Sequence, residues 1–214
     1  MATLDSAGNA TVNGNLTVKY HSSRGVKTEE LGILAAAHRS AVKALNQTNA
    51  VLAGTKSSSV LGAALFSHFR ISGTGVSAAR TLVTNVFTAI HAGLTANPLN
   101  ISDVNERSGD GVLGYVTTVN GAAQGSIHIE FNLLKAALRN VVSMTLIHEA
   151  SHRFANTQDH AYAYQSGYPS LTRAQAIDNA DSYAFFAWSI SLGTVVTANH
   201  ALAEAFKRLR LGIL

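Results

Sequence analysis

VVSMTLIHEASHRF, residues 141–154, runs an apolar stretch of helical length straight into two histidines four positions apart. Val141, Val142, Met144, Leu146 and Ile147 suit a helix buried on most of its surface, and the pattern predicts one from about Arg139 to Ala155. Residues four apart on a helix lie one above the other, so His148 and His152 can turn both imidazoles to one ion. Glu149, one position round, then reaches a water beside that ion. A zinc ion held in this way lowers the pKa of water toward about 7 and polarises a carbonyl, while the neighbouring carboxylate takes the proton. His148 and His152 are therefore candidate metal ligands and Glu149 the candidate catalytic base. Catalytic zinc takes three protein ligands and keeps one position open, so the chain must supply a third.

The rest of the composition narrows the chemistry further. The 214 residues contain no cysteine, which excludes disulfides, thiolate zinc and a cysteine nucleophile and leaves imidazole and carboxylate to hold a metal. No Gly-x-Ser-x-Gly elbow or phosphate-cradling glycine loop is present, so serine-hydrolase and nucleotide chemistry have no residues to rest on. With 47% hydrophobic and 13% charged residues the chain reads as an ordinary globular domain, and one catalytic domain over 1–214 is expected. Its net charge of +4 comes from scattered Lys and Arg without an aromatic-flanked basic cluster, which argues against a nucleic-acid partner. Neither a cleaved signal nor a membrane span is legible, so a cytoplasmic protein, or one exported without a cleaved signal, is expected.

Outward from the motif, GYVTTV and SIHIEF alternate like two strands around NGAAQG, with Ile127, Ile129 and Phe131 on one face and His128 and Glu130 on the other. Residues 96–114 are rich in Pro, Asn, Asp and Gly and read as a long loop or lobe junction. Before it, Leu31, Leu34, Val42, Leu45 and Leu52 predict a helix from Thr28 to about Leu52, with His38 as a hydrogen-bonded core histidine. Two more helices are expected, one after the serines 57–59 and one from Ser77 carrying Leu82, Val83, Val86, Phe87 and Ile90. Asn13-Gly14 marks a hairpin turn in TVNGNLTVKY. Beyond the motif, helices are expected over Thr172 to about Leu192 and over Ala198–Leu209, the last docked on the protein's own core.

Candidates for the third ligand are Asp159, His160, Asp178, Asp181, His200 and Glu204. Glu204 lies too far along the chain to suit a following-helix ligand, and no His-x-x-Gly-x-x-His continues from His152. Asp159 follows a plausible helix end at Asn156-Thr157, with His160 as the runner-up. The order HEASH, TQDHAY, NADSY resembles the aspzincin metalloendopeptidases, the family of deuterolysin and the fungal peptidyl-Lys metalloendopeptidases. Thr157, Asp159 and Tyr162 match the family's middle block, and Asn179, Ala180, Asp181 and Tyr183 its last, over roughly residues 126–190. Asn156 and Ala163 stand where the family has glycines. Asn tolerates left-handed backbone and Ala does so less readily.

The helical spacings make 1–110 mainly helical, and with the resemblance, which implies a zincin-like α+β fold, they give one domain whose metal-site part spans 111–214 with a small sheet beside the active-site helix. The resemblance implies one zinc per chain on His148, His152 and Asp159, and Tyr162 as hydrogen-bond donor to the oxyanion of the scissile bond. The implied activity is zinc-dependent endopeptidase, acting on a peptide or protein partner and compatible with a proteinaceous inhibitor or immunity partner. The alternative is a catalytically inactive zinc-binding interaction module. In the lysine-specific members an Asp and a Glu three apart on one helix face surround the lysine ammonium. The corresponding substrate-binding positions here are Asp181 and Ala184, so one carboxylate is missing and strict lysine preference is not expected.

Overall fold

The computed structural model describes residues 3–4, 9–12, 16–21, 27–103, 114–130 and 139–197. The Asn13-Gly14 turn, Phe131, the glycine-rich part of the 96–114 stretch, His200, Glu204 and the expected helix over Ala198–Leu209 lie outside the described residues.

The chain opens with strands β1 (Thr3–Leu4), β2 (Asn9–Val12) and β3 (Leu16–His21), where β2 and β3 pair antiparallel as the hairpin reading requires. Helices α1 (Thr28–Leu52), α2 (Leu61–Phe69) and α3 (Ala78–Leu94) follow. Lys27 caps α1 with Glu30 three residues on, the Glu30 carboxylate accepting from the Lys27 backbone N–H at 3.1 Å. Ser77 caps α3 by accepting from Arg80 N–H. The second half supplies β4 (Leu99–Asp103), β5 (Gly114–Val119), β6 (Ala122–Ile129) and α4 (Arg139–Ala155), then α5 (Arg173–Ile177) and α6 (Ala180–Leu192).

The strands form one mixed sheet in the order β1-β2-β3-β4-β6-β5, with β3, β4 and β6 parallel to their neighbours in that set. This corrects the reading of 96–114 as loop throughout. Leu99, Ile101 and Asp103 are buried while Asn100 is exposed, so the LNISD segment alternates as a central strand between β3 and β6. The β5–β6 hairpin is also longer than expected. Asn120 and Gly121, at φ 53° and 77°, make a two-residue turn, and β6 already begins at Ala122. Gly125, at φ 75°, takes up an irregularity in the pairing where Val116 faces Ile127 and Thr117 faces Gln124.

Helix α4 is the centre of the molecule, packed on α1, α3, α6 and the β5–β6 hairpin. Every residue from Val141 to Ser151 is buried, including Ser143 and Thr145, and the Thr145 hydroxyl donates to Val141 O at 3.0 Å. Beside it an aromatic core joins Phe69, Phe87, Tyr183 and Phe186, with ring centroids 5.0–6.4 Å apart. His38 is buried in this body as a core histidine, its Nε2 2.8 Å from Leu94 O, and burial holds its pKa below the ordinary value.

The expected single helix over Thr172–Leu192 is two helices. Thr172 and Gln175 form a capping box at the start of α5, and the chain then leaves helical geometry at Asp178 and Asn179. Asn179 is extended, at φ −103° and ψ 122°, and pairs with Gln158 as an isolated parallel bridge. Gln158 N donates to Asp178 O at 2.7 Å, and Ala180 N donates to Gln158 O at 3.0 Å. The interruption therefore exchanges helical bonds for bonds that anchor the loop after α4.

Candidate metal centre

Helix α4 ends at Ala155, and Asn156 takes the left-handed conformation at φ 55°, its N–H closing on His152 O at 3.0 Å. Asn thus serves at the first of the two substituted glycine positions. Ala163, at the second, stays out of the left-handed region, so its side chain costs nothing there. The turn at Asn156 sends the chain back along α4. Thr157 O comes within 2.6 Å of His152 Nδ1, and the Thr157 hydroxyl lies 2.7 Å from that of Ser151. Asn179 secures the next stretch, its buried side-chain carbonyl accepting from His160 N at 2.9 Å and Ala161 N at 3.0 Å.

Asp159 arrives by this path opposite the two imidazoles. Its Oδ1 is 3.3 Å from His148 Nε2 and 3.5 Å from His152 Nε2, and the two Nε2 atoms are 3.1 Å apart. A tetrahedral zinc about 2.0–2.1 Å from each ligand sets ligand atoms roughly 3.3–3.4 Å from one another, so the three separations fit one ion. Proton positions agree. Thr157 O and the Asp181 carboxylate can only accept, so His152 and His148 both carry their proton on Nδ1 and present the bare Nε2. Two imidazole lone pairs and a carboxylate oxygen converge, an arrangement of acceptors that suits a cation.

Glu149 is buried beside them, its Oε1 3.9 Å from His148 Nε2. Gly114, the first residue of β5, makes room for it: a Cβ there would lie 3.1 Å from Glu149 Oε1 and 2.8 Å from His128 O. The Tyr162 hydroxyl donates to Asp159 Oδ2 at 3.2 Å, and its ring stacks toward His148 and on Tyr164. His160, the runner-up ligand, points elsewhere and pairs with Asp178 at 2.8 Å. Arg153, next along the helix, donates to Gly125 O at 2.7 Å and Ala123 O at 3.3 Å. His128 stacks on Tyr115 with centroids 4.3 Å apart.

The two expected substrate-binding positions, Asp181 and Ala184, are both buried. Asp181 is fully buried in the first turn of α6, with Oδ1 2.6 Å from His148 Nδ1 and Oδ2 accepting from Ala163 N at 2.7 Å. Ala184, one turn on, is also fully buried in the core. Neither presents a surface to a substrate because α6 is enclosed on all sides from Ala180 to Ile190. Gly114 carries no sequence signal of this role, because a glycine opening a strand says nothing of a carboxylate packed against it.

A solved zinc peptidase from Grifola frondosa superposes with a TM-score of 0.60 at 21% identity, covering 77% of this chain and 97% of that one, which shows a shared fold. A peptidyl-Lys metalloendopeptidase of Pleurotus ostreatus is 58% identical over 48 residues, which is 20% of this chain and 28% of that protein's length. The match thus spans well under half of that relative. The aspzincin family model, described as lysine-specific metallo-endopeptidase, matches residues 56–188, more than half of the chain and all of the site built above. With its α+β fold and the His148, His152 and Asp159 cluster in place, the chain belongs to the aspzincin family.

Proposed function

We propose that the protein is a zinc-dependent endopeptidase that binds one zinc on His148, His152 and Asp159 and cleaves peptide bonds without strict preference for lysine. The observation that carries the reading is the convergence of the two bare Nε2 atoms and the Asp159 carboxylate at 3.1–3.5 Å. Family membership supports the same metal and reaction class.

When bound, zinc supplies Lewis acidity toward a water and toward the peptide carbonyl. Glu149 serves as the base. It is not a ligand in this reading, and it accepts a proton from the attacking water and returns it to the departing amine. Its burial keeps bulk water from competing for that proton. Tyr162 donates its hydroxyl proton in a hydrogen bond to the oxyanion that forms as the carbonyl carbon becomes tetrahedral, a charge absent from the ground state. Asp181 and Asn179 keep the loop bearing Asp159 and Tyr162 against α4 through backbone N–H groups. Edge strand β5 borders Glu149 through Gly114 and offers an extended substrate an edge to pair with. The broad specificity follows from Asp181 and Ala184, which place no pair of carboxylates at the surface.

Metal analysis combined with peptide turnover tests this reading. About one zinc per chain is expected, with hydrolysis of a fluorogenic peptide that stops on chelation and returns with zinc. Protein that takes up no zinc, or holds it and cleaves nothing, contradicts the proposal.

A further inference from the structure

We infer that Arg153 is a positioning residue for long substrates: it fixes the outer half of the β5–β6 hairpin against the metal-bearing helix, so that β5 can pair with substrate residues several positions from the scissile bond. The inference rests on the peptidase reading above and adds to it a region that favours extended polypeptide segments over short peptides. It begins from helical spacing. Glu149 and Arg153 are four apart on α4 and so lie one above the other, on the side that meets the hairpin. Glu149 packs against Gly114 at the start of β5. One turn on, Arg153 Nε donates to Gly125 O at 2.7 Å and Arg153 Nη1 to Ala123 O at 3.3 Å, both on β6. The helix thus grips the hairpin at two points, one beside the base and one beyond it.

The outer grip falls where the sheet gives little support. Strand β4 pairs with β6 only from Ile127 to Ile129, so among the described residues Ala122–Gln124 has a strand on one side alone, the Thr117–Val119 part of β5. Thr117–Val119 and Gly125 are exposed. Two strands with so little buried surface hold their shape weakly by themselves. The pairing steps from Val116 opposite Ile127 to Thr117 opposite Gln124, which leaves Gly125 and Ser126 as extra residues on β6. A bulge of this kind bends a strand and redirects its groups, and here the Gly125 carbonyl meets a guanidinium. An arginine suits the task because its planar fork donates to two carbonyls at once with full charge. The guanidinium carbon lies 5.3 Å from the centroid of the Phe154 ring, which restricts the side chain further.

What the grip controls follows from where β5 runs. It is the last strand of the sheet among the described residues, and it leads from Gly114 beside Glu149 toward the end held through β6 by Arg153. Its six residues form a rail of about 20 Å, longer than the few substrate residues around a scissile bond. A segment paired along the whole rail gains main-chain hydrogen bonds whatever its side chains, which combines broad sequence tolerance with a demand for length. A short peptide reaches only the Gly114 end, where the contact with Glu149 already sets the spacing. Arg153 therefore acts on the difference between long and short substrates.

Two measurements decide the matter. Two fluorogenic peptides sharing one cleavage site, of about four and about ten residues, cover one end or all of a strand this long. The ratio of kcat/KM for the long peptide to that for the short one should fall about 10-fold in Arg153→Ala, with the fall lying in KM, and by less in Arg153→Lys, which keeps a single donor. Equal falls on both peptides, or a ratio that stays at the wild-type value, overturn the inference. Amide hydrogen exchange in the same proteins should be at least about 10-fold faster over Thr117–Val119 and Ala122–Gln124 in Arg153→Ala, while Val142–Ile147 of α4 keeps its wild-type rate. Unchanged exchange in the hairpin, or an equal rise along α4, overturns it as well. If Arg153→Ala does not fold, Arg153→Lys carries both measurements. Exchange is read without any hydrolysis, so a protein that cleaves nothing defeats the peptidase reading, whereas a hairpin indifferent to Arg153 defeats this inference.

Discussion

Replacing Glu149 by Gln removes a proton acceptor and leaves the three proposed ligands untouched. Turnover should fall below detection while zinc content stays near one per chain; near-full activity would remove Glu149 as the base. Tyr162→Phe should lower the rate by roughly 10²-fold, the loss expected for one oxyanion donor, with zinc retained. Asp159→Ala should release zinc far more readily than His160→Ala, because His160 is paired with Asp178 while Asp159 faces both Nε2 atoms. Zinc retention in the two variants tests that ranking. At this scale the sequence was legible where the geometry is local. His148, Glu149 and His152 share one helical turn, so their spacing alone implies a common ion. Asp181 was not legible in the same way. Its hydrogen bond to His148 spans 33 residues, and spacing cannot say whether such a carboxylate faces substrate or the back of an imidazole.

Two glycines place the elements around α4 and separate stability from catalysis. A Cβ on Gly93 of α3 would lie 2.1 Å from the Phe154 ring, so Gly93→Ala should destabilise the fold by about 1–3 kcal/mol as two packed helices are pushed apart. Gly114→Ala presses instead on Glu149 and on His128 O, and should reduce turnover more than it reduces stability. Thermal unfolding and peptide turnover, measured on both, check the division; equal effects of the two on turnover would contradict it. The long amphipathic helices were readable because their apolar spacing persists over several turns, and the expected bounds of α1 and α4 match those observed. Strand β4 was hidden because Asn100 and Asp103, directly after Pro98, give LNISD the composition of a loop, and its hydrogen bonds come from β3 and β6, about 80 residues before it and 26 after. The break between α5 and α6 was hidden for a similar reason. No Gly or Pro marks Asp178-Asn179, and what ends the helix there is the bond set offered by Gln158, His160 and Ala161.

For the molecule as a whole, a second buried polar group links the helical body to its stability against acid. His68 on α2 is enclosed with Nδ1 3.0 Å from the Tyr168 hydroxyl and Nε2 3.0 Å from that of Ser189, and burial pushes its pKa down to about 3 from 6.5. The unfolded chain therefore binds a proton that the folded one excludes between those values. Stability from this group is full above pH 6.5 and falls as pH drops toward 3, by at most about 1.4 kcal/mol per unit. Denaturant unfolding at pH 7 and pH 5 should show a smaller loss in His68→Gln than in the wild type, by up to about 2 kcal/mol; an identical loss would mean that His68 is protonated within the fold. The central claim is that the α4 site hydrolyses peptide bonds, and a mass-spectrometric map of cleavage sites in a denatured protein mixture tests it most directly. Zinc-loaded wild-type protein should produce cuts that are absent with Glu149→Gln and are not confined to bonds preceding lysine. A map without cuts, or one that Glu149→Gln reproduces, would contradict the account.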